Sequence, residues 1–390
     1  MHKQRQSSLC MDNVSKEFNL LIDIVNGKQL NIESLEIDWT LFFELTLHHR
    51  LYSYIYPRIS LNQEYIPDHI IDSLERLYKQ NTFNMLHLSG EMNIIGKLFS
   101  ENRIPLLMLK GPVLAKELYG DISLRTSSDL DVMVPLQSLE EAEALLKEQG
   151  YVKDDYIKTV LNDWKWRHHH VTYFHHKKGI KVEVHWRLNP GPGKEPTFNE
   201  LWERRSVSNF TGNPLYMLGR EDLFFFLISH GARHAWSRLR WLLDINQLLK
   251  MELDWKLVRH LIKTNHFLPI SAQTLQLTLT LFKSVMPDHL VNLSGKSRGI
   301  NLAQKTVFYF ENMVNLHTDP VPVYIARYHS HYILSIMSWQ QKIYYLLSLF
   351  YPFPEDAETL TLPKRLHFLY FPLRPFLWLK RKLKQPSISS

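Results

Sequence analysis

The sequence predicts an α+β protein: a small mixed β-sheet core over residues 101–205, flanked by helical regions over 1–100 and 206–390. Three observations carry this expectation. Before about Ser100 the apolar residues recur at helical spacing, as in Phe18, Leu21, Ile22 and Val25. Between Pro105 and Trp186 the apolar runs are short and separated by turn residues. After Arg220 helical spacing returns and lasts to about Phe350. A chain of 390 residues suggests two or three domains. With only 14 glycines and no Gly/Ser linker, these should pack on one another.

Leu74, Leu77 and Tyr78 belong to a long helix that runs toward Phe99, with Asp68 after Pro67 as its cap. Pro105-Leu-Leu-Met-Leu109 reads as a buried strand ended by Lys110-Gly111-Pro112. Pro112 suits a first helical position, where a missing N–H costs nothing, and Leu114, Leu118 and Tyr119 can then face the core. Leu130-Asp-Val-Met-Val134 is a second strand. A helix over 136–149 follows, ended by Gly150. Residues 170–175 and 180–186 alternate as a β-hairpin joined near Lys177-Lys178-Gly179. Asn189-Pro-Gly-Pro-Gly-Lys-Glu-Pro196 is a loop. Residues 223–232 and 239–249 are the clearest helices beyond it, and Tyr351-Pro-Phe-Pro354 breaks the pattern.

The net charge of +7 is unevenly spread. Beyond Glu358 there is no acidic residue, while Lys364, Arg365, Arg374, Lys380, Arg381, Lys382 and Lys384 are basic. The body is therefore neutral, which argues against a nucleic-acid partner. Cys10 is the only cysteine, so no internal disulfide can form. No secretory leader and no run of 18 apolar residues is present. These features point to a cytoplasmic protein.

Asp129 and Asp131 sit two apart on an expected strand, where alternate residues share a face about 6.6 Å apart. Their mutual repulsion opposes ionisation of both, and a divalent cation removes that cost. Mg²⁺ is commonly held by one or two carboxylates plus substrate phosphates. On the later strand Lys181, Glu183 and His185 share a face opposite Val182, Val184 and Trp186. If the two strands are neighbours with polar faces on one side, Glu183 completes a three-carboxylate site. Such a site can clamp both oxygens of an in-line displacement at phosphorus through two metals. Acids alternating with valines are also the pattern of a solvated sheet face. A Lys-Gly turn at a helix N-terminus upstream of Asp129, suited to phosphate, favours the chemical reading.

The run Leu109-Lys-Gly111, Leu118-Tyr119, Arg125, Ser128-Asp-Leu-Asp131 and Val134, with Val182-Glu-Val-His-Trp186 later, resembles the nucleotidyltransferase superfamily typified by DNA polymerase β. It is most similar to an uncharacterised bacterial group of nucleotidyltransferase family proteins, often encoded near peptide natural-product or surface-polysaccharide genes. The likeness is strong over about 105–190. It implies Asp129, Asp131 and Glu183 as catalytic metal ligands for Mg²⁺ or Mn²⁺, with an NTP as donor and pyrophosphate as product. It implies that Gly111 shapes the phosphate turn. Pro112 departs from the Gly or Ser usual there, and Lys110 and Arg125 could supply the lost donors. The acceptor, a small molecule, peptide or protein, carries no motif. The competing reading is a catalytically weak or inactive relative that binds a peptide or partner.

Other clusters are less specific. His168, His169, His170, His175 and His176 crowd the hairpin, but without the ligand spacing of a zinc site they read as a hydrogen-bonded surface. His185 could orient a carboxylate or touch the nucleotide. His230, Arg233, His234, Arg238 and Asp244 could line the cleft or form an interhelical ion-paired surface. The aromatic, basic tail from Leu366 to Lys384 is expected to pack on the helical region, with contact to an anionic membrane as the other option. Pro372 and Pro375 argue against one continuous helix there.

Overall fold

The computed structural model describes residues 9–28, 36–59, 65–284, 290 and 297–384. Four helices open the described chain: α1 (Lys16–Val25), α2 (Trp39–His48), α3 (Tyr52–Ile59) and α4 (Asp68–Glu101). The sheet segment runs β1 (Leu107–Met108), α5 (Pro112–Tyr119), β2 (Leu130–Met133), α6 (Leu139–Glu148), β3 (Val152–Lys153), α7 (Trp164–Arg167), β4 (His170–His175), β5 (Ile180–His185), α8 (Phe198–Glu203), β6 (Ser206–Ser208) and β7 (Leu215–Met217). Helices follow: α9 (Arg220–Arg233), α10 (Leu239–Leu248), α11 (Trp255–Thr264), α12 (Leu268–Phe282), α13 (Ser297–Glu311), α14 (Val323–Ile336), α15 (Trp339–Phe350), α16 (Pro354–Thr359) and α17 (Tyr370–Lys384).

The strands form one sheet in the order β3-β4-β5-β2-β1-β7-β6. β2 is antiparallel to β1 and parallel to β5, and β1 is parallel to β7, so the sheet is mixed, as the sequence predicts. It extends past residue 205: β6 and β7 add two strands beside β1.

Helix α4 has 34 residues, roughly 51 Å at 1.5 Å per residue. Its buried positions Ile70, Leu74, Asn81, Met85, Leu88, Met92, Ile95 and Phe99 recur at helical spacing and form one stripe. Its start differs from expectation. Pro67 occupies the cap position, and Asp68 lies inside the first turn. The carboxylate there acts on the helix dipole rather than on a free N–H. A single apolar core joins the first helices, the sheet and α9–α14. A small separate cluster of Val160, Tyr370 and Leu377 lies under the C-terminal helices.

Helix α17 runs through Pro372 and Pro375, which corrects the expectation of a broken tail. Pro372 falls in the first turn, where no intrahelical donor is needed, so only Pro375 removes a helix bond.

Two histidines tie α2 to the turn before α10. His48 Nε2 lies 3.1 Å from the Ser237 carbonyl, and His49 Nδ1 accepts from the Leu239 N–H at 3.3 Å. His49 is fully buried and must therefore be neutral. Burial, with Arg238 nearby, lowers His48 to about 4; burial, with His48 and Arg238, holds His49 well below its usual value. Below the unfolded value near 6.5 the unfolded chain binds protons that the folded chain refuses. Stability is therefore expected to fall as pH drops from about 6.5 toward 4. Urea titrations across that range check this, and a flat profile would contradict it.

Candidate active site

Strand β2 carries Leu130, Val132 and Met133 into the core. Asp131, between them, is also buried, so β2 has no solvated face. The parallel register with β5 sets Asp131 opposite Glu183, and antiparallel pairing of β4 with β5 sets His170 opposite His185. Asp131, Glu183 and His185 thus converge, with ligand atoms within 4.8 Å of one another. Asp129 lies outside that group. It precedes the strand and meets Lys181 at 2.8 Å.

Each carboxylate has a cationic partner. Lys110 Nζ lies 2.9 Å from Asp131, and Lys181 reaches Glu183 at 2.8 Å as well as Asp129. His185 Nε2 lies 3.2 Å from Asp131 and 3.8 Å from Glu183, while its Nδ1 is buried without a partner. Burial pushes Asp131 upward, but Lys110 and the bond from His185 outweigh it and hold the carboxyl well below the usual range. Glu183 is likewise raised by burial and more strongly lowered, to about 2, by His185 and its other cationic neighbours. For His185, burial favours the neutral ring, but its bonds to the two carboxylates prevail and raise it.

The surroundings are rich in positive charge. Arg240, lowered to about 9, is depressed by burial and by Arg125 and Arg50; Arg238 and Arg233 are each lowered to about 10, chiefly by burial. Arg233 Nη1 and Arg240 Nε are buried without hydrogen-bond partners. Lys110 also sits over the Phe226 ring at 5.7 Å. Guanidinium groups in a dry setting without enough acceptors form a place where an anion gains strongly.

The other expected residues fall as follows. Gly111 has φ +88°, ψ −153°, a conformation open to glycine, and precedes Pro112 at the start of α5. A Cβ there would sit 3.4 Å from Leu130, so the turn lies tight against β2. Arg125 is turned to another task. It is 2% exposed, and its Nε and Nη2 donate to Asp244 at 2.9 and 3.0 Å. Tyr119 donates to the same carboxylate at 2.7 Å. The fork holds the β1–β2 segment to α10. Of the hairpin histidines, His169 and His170 reach His185, with ring centroids 5.3 and 4.9 Å away. His175 instead packs on Tyr151 at 5.1 Å.

Sequence reasoning sets Lys181 on the Glu183 face without giving it a role, and passes over Arg50 and Arg240. Lys181 was readable, since it shares a strand face with Glu183. Arg240 stands two residues from Arg238 but belongs to no motif. Arg50 comes from the N-terminal helices, whose part in the site nothing local announces.

The family model described as "Uncharacterised nucleotidyltransferase" matches residues 36–283, well over half of the chain, from α2 to the end of α12. No curated protein and no solved structure matches it. With the mixed sheet, the acidic cluster and the family match together, the chain belongs to the uncharacterised nucleotidyltransferase family.

Proposed function

We propose that the protein transfers a nucleoside monophosphate from an NTP to an acceptor hydroxyl on a small molecule, peptide or protein, releasing pyrophosphate. The observation that carries this is the register of Asp131 against Glu183 beside half-buried Arg233 and Arg240, each with one buried donor left without a partner. The acceptor oxygen forms a bond to the α-phosphorus as the bond to the bridging oxygen breaks, and pyrophosphate leaves with that electron pair. The acceptor proton passes to Glu183, the more exposed member of the pair, with side-chain exposure of 17% against 3% for Asp131. Asp131, Glu183 and His185, whose ligand atoms converge, would hold Mg²⁺ or Mn²⁺, and Asp129 would join them on leaving Lys181. When bound, the ion stabilises charge on the transferring phosphoryl group. Lys110 and the turn at Gly111 hold the phosphates, with Arg233 and Arg240 neutralising them. Arg125 positions this wall through Asp244.

Thermal shifts with each NTP, with and without Mg²⁺ or Mn²⁺, test the reading. Saturation at 100 times the dissociation constant adds about 2.7 kcal/mol. An ion-dependent shift for one NTP is expected. It should shrink in Arg233→Ala and Arg240→Ala. Absence of any shift would count against the site.

One observation favours a second reading, a partner-binding module. Asp129 lies outside the converging ligand group and is engaged by Lys181. NTP binding without labelled-nucleotide incorporation into any acceptor would support that module.

A further inference from the structure

Helix α15, Trp339-Gln-Gln-Lys-Ile-Tyr-Tyr-Leu-Leu-Ser-Leu-Phe350, has no buried residue although most of its side chains are apolar. Trp339, Ile343, Leu346, Leu347 and Phe350 are 67%, 43%, 55%, 61% and 69% exposed. Their spacing of four, three, one and three residues makes one continuous stripe on the helix. A stripe of this kind normally faces a core, and here no described residue buries it.

Helix α17 repeats the pattern. Phe376, Leu379 and Leu383, spaced three and four apart, are 70%, 50% and 79% exposed, and Trp378 is half exposed beside them. The two helices are neighbours: Tyr351 meets Phe371 with ring centroids 5.2 Å apart, and Arg374 Nε donates to the Leu349 carbonyl. The tail is therefore only lightly packed, through Tyr370 and Leu377, and otherwise shows its aromatic side chains to solvent.

The two helices carry only positive charge. Arg374 and Arg381 are taken up by the buried Asp356, at 2.6 and 2.7 Å. Lys342, Lys364, Arg365, Lys380 and Lys382 are exposed and make no ion pair among the described residues. No described helix is long and apolar enough to cross a membrane. Apolar stripes bordered by tryptophan and unpaired lysine suit a helix lying in the plane of a bilayer surface.

We propose that α15 and α17 form a docking surface for a membrane bearing anionic lipids. Trp339, Leu347, Phe350, Phe376 and Leu383 enter the acyl boundary, and the lysines meet the headgroups. A second copy of the chain is a poorer occupant, because a two-fold contact would set the unpaired lysines of both copies together. An anionic surface neutralises them instead. The face lies beyond residue 283, outside the segment matched by the family model, and the inference does not depend on the transfer reaction.

The test is cosedimentation of the full chain with vesicles of phosphatidylcholine alone and with phosphatidylglycerol added, together with sedimentation velocity without lipid. Binding to the anionic vesicles, weakened by salt, is expected. The variant Trp339→Gln/Leu347→Gln/Phe350→Gln should lose roughly tenfold or more in partitioning, since each change removes an inserted apolar side chain. Lys380→Gln/Lys382→Gln should lose roughly fivefold per lysine, and only on anionic vesicles. All of these side chains are exposed, and unchanged circular dichroism would show that the fold is intact. Failure to bind either vesicle, or equal binding by wild type and variants, would overturn the proposal. So would a dimer in solution that the triple variant dissolves, which would assign the face to a second copy.

Discussion

Asp131→Asn is expected to lower nucleotidyl transfer by roughly a thousandfold or more, the equivalent of losing several kcal/mol of transition-state stabilisation. The carboxylate stands opposite Glu183 and between Lys110 and His185. An amide keeps the shape but loses the charge that both neighbours answer. The substitution also has a signature apart from rate. Asp131 is held well below the usual carboxylate range because Lys110 and His185 outweigh its burial. Its ionised form therefore stabilises the fold at pH values above the unfolded carboxyl value near 3.9, and that contribution is lost as pH falls through the folded value. The variant should be less stable at neutral pH and should lack that part of the acid limb. Single-turnover transfer of labelled nucleotide, with unfolding curves at several pH values, checks both parts. Wild-type transfer by the variant would remove Asp131 from the mechanism.

Asp244→Ala is expected to cost roughly 3–5 kcal/mol of stability, because it leaves the Arg125 guanidinium buried without its acceptor. Both side chains are almost wholly inaccessible, at 1% and 0% exposure, so water cannot replace the lost bonds. Tyr119 loses its acceptor as well. At roughly 2–4 °C per kcal/mol, the melting temperature should fall by about 10 °C. Arg125→Met/Asp244→Leu, which removes both charges, should lie closer to wild type than either single change. Differential scanning calorimetry of the three variants measures this. If Asp244→Ala melts with the wild type, the pair is not the fastening that the geometry describes. If Arg125→Lys loses NTP affinity while keeping its melting temperature, Arg125 acts on phosphate directly.

The architecture was largely legible in the sequence, because it rests on local periodicity. The strand at Leu130–Met133, the hairpin of β4 and β5 and the long helix α4 lie where their apolar spacing puts them. Strands β6 and β7 were not legible. Three residues each are too few to show alternation, and the pairing of β7 with β1, on which β6 depends, joins residues more than a hundred apart. In the site, Asp131, Glu183 and His185 follow from strand alternation plus one assumption of neighbouring strands, which the β2–β5 register supplies. The partners of Arg125 and Asp129 could not be read. Arg125 finds Asp244 and Asp129 finds Lys181, and both choices depend on tertiary placement rather than on spacing. The exposure of α15 could not be read for a different reason: apolar content predicts burial only where a partner surface exists, and α15 has no buried residue.

A cation drawn to Asp131 or Asp129 would compete with an ammonium covalently attached to the same chain, at 2.9 and 2.8 Å. A tethered competitor acts at a high effective concentration that dilution cannot lower. On the proposed function each lysine would therefore set a threshold: weakly attracted monovalent ions would lose the exchange, while a doubly charged ion arriving with a polyphosphate would win it. The displaced ammonium would stay on its four-carbon tether, free to meet that same polyphosphate.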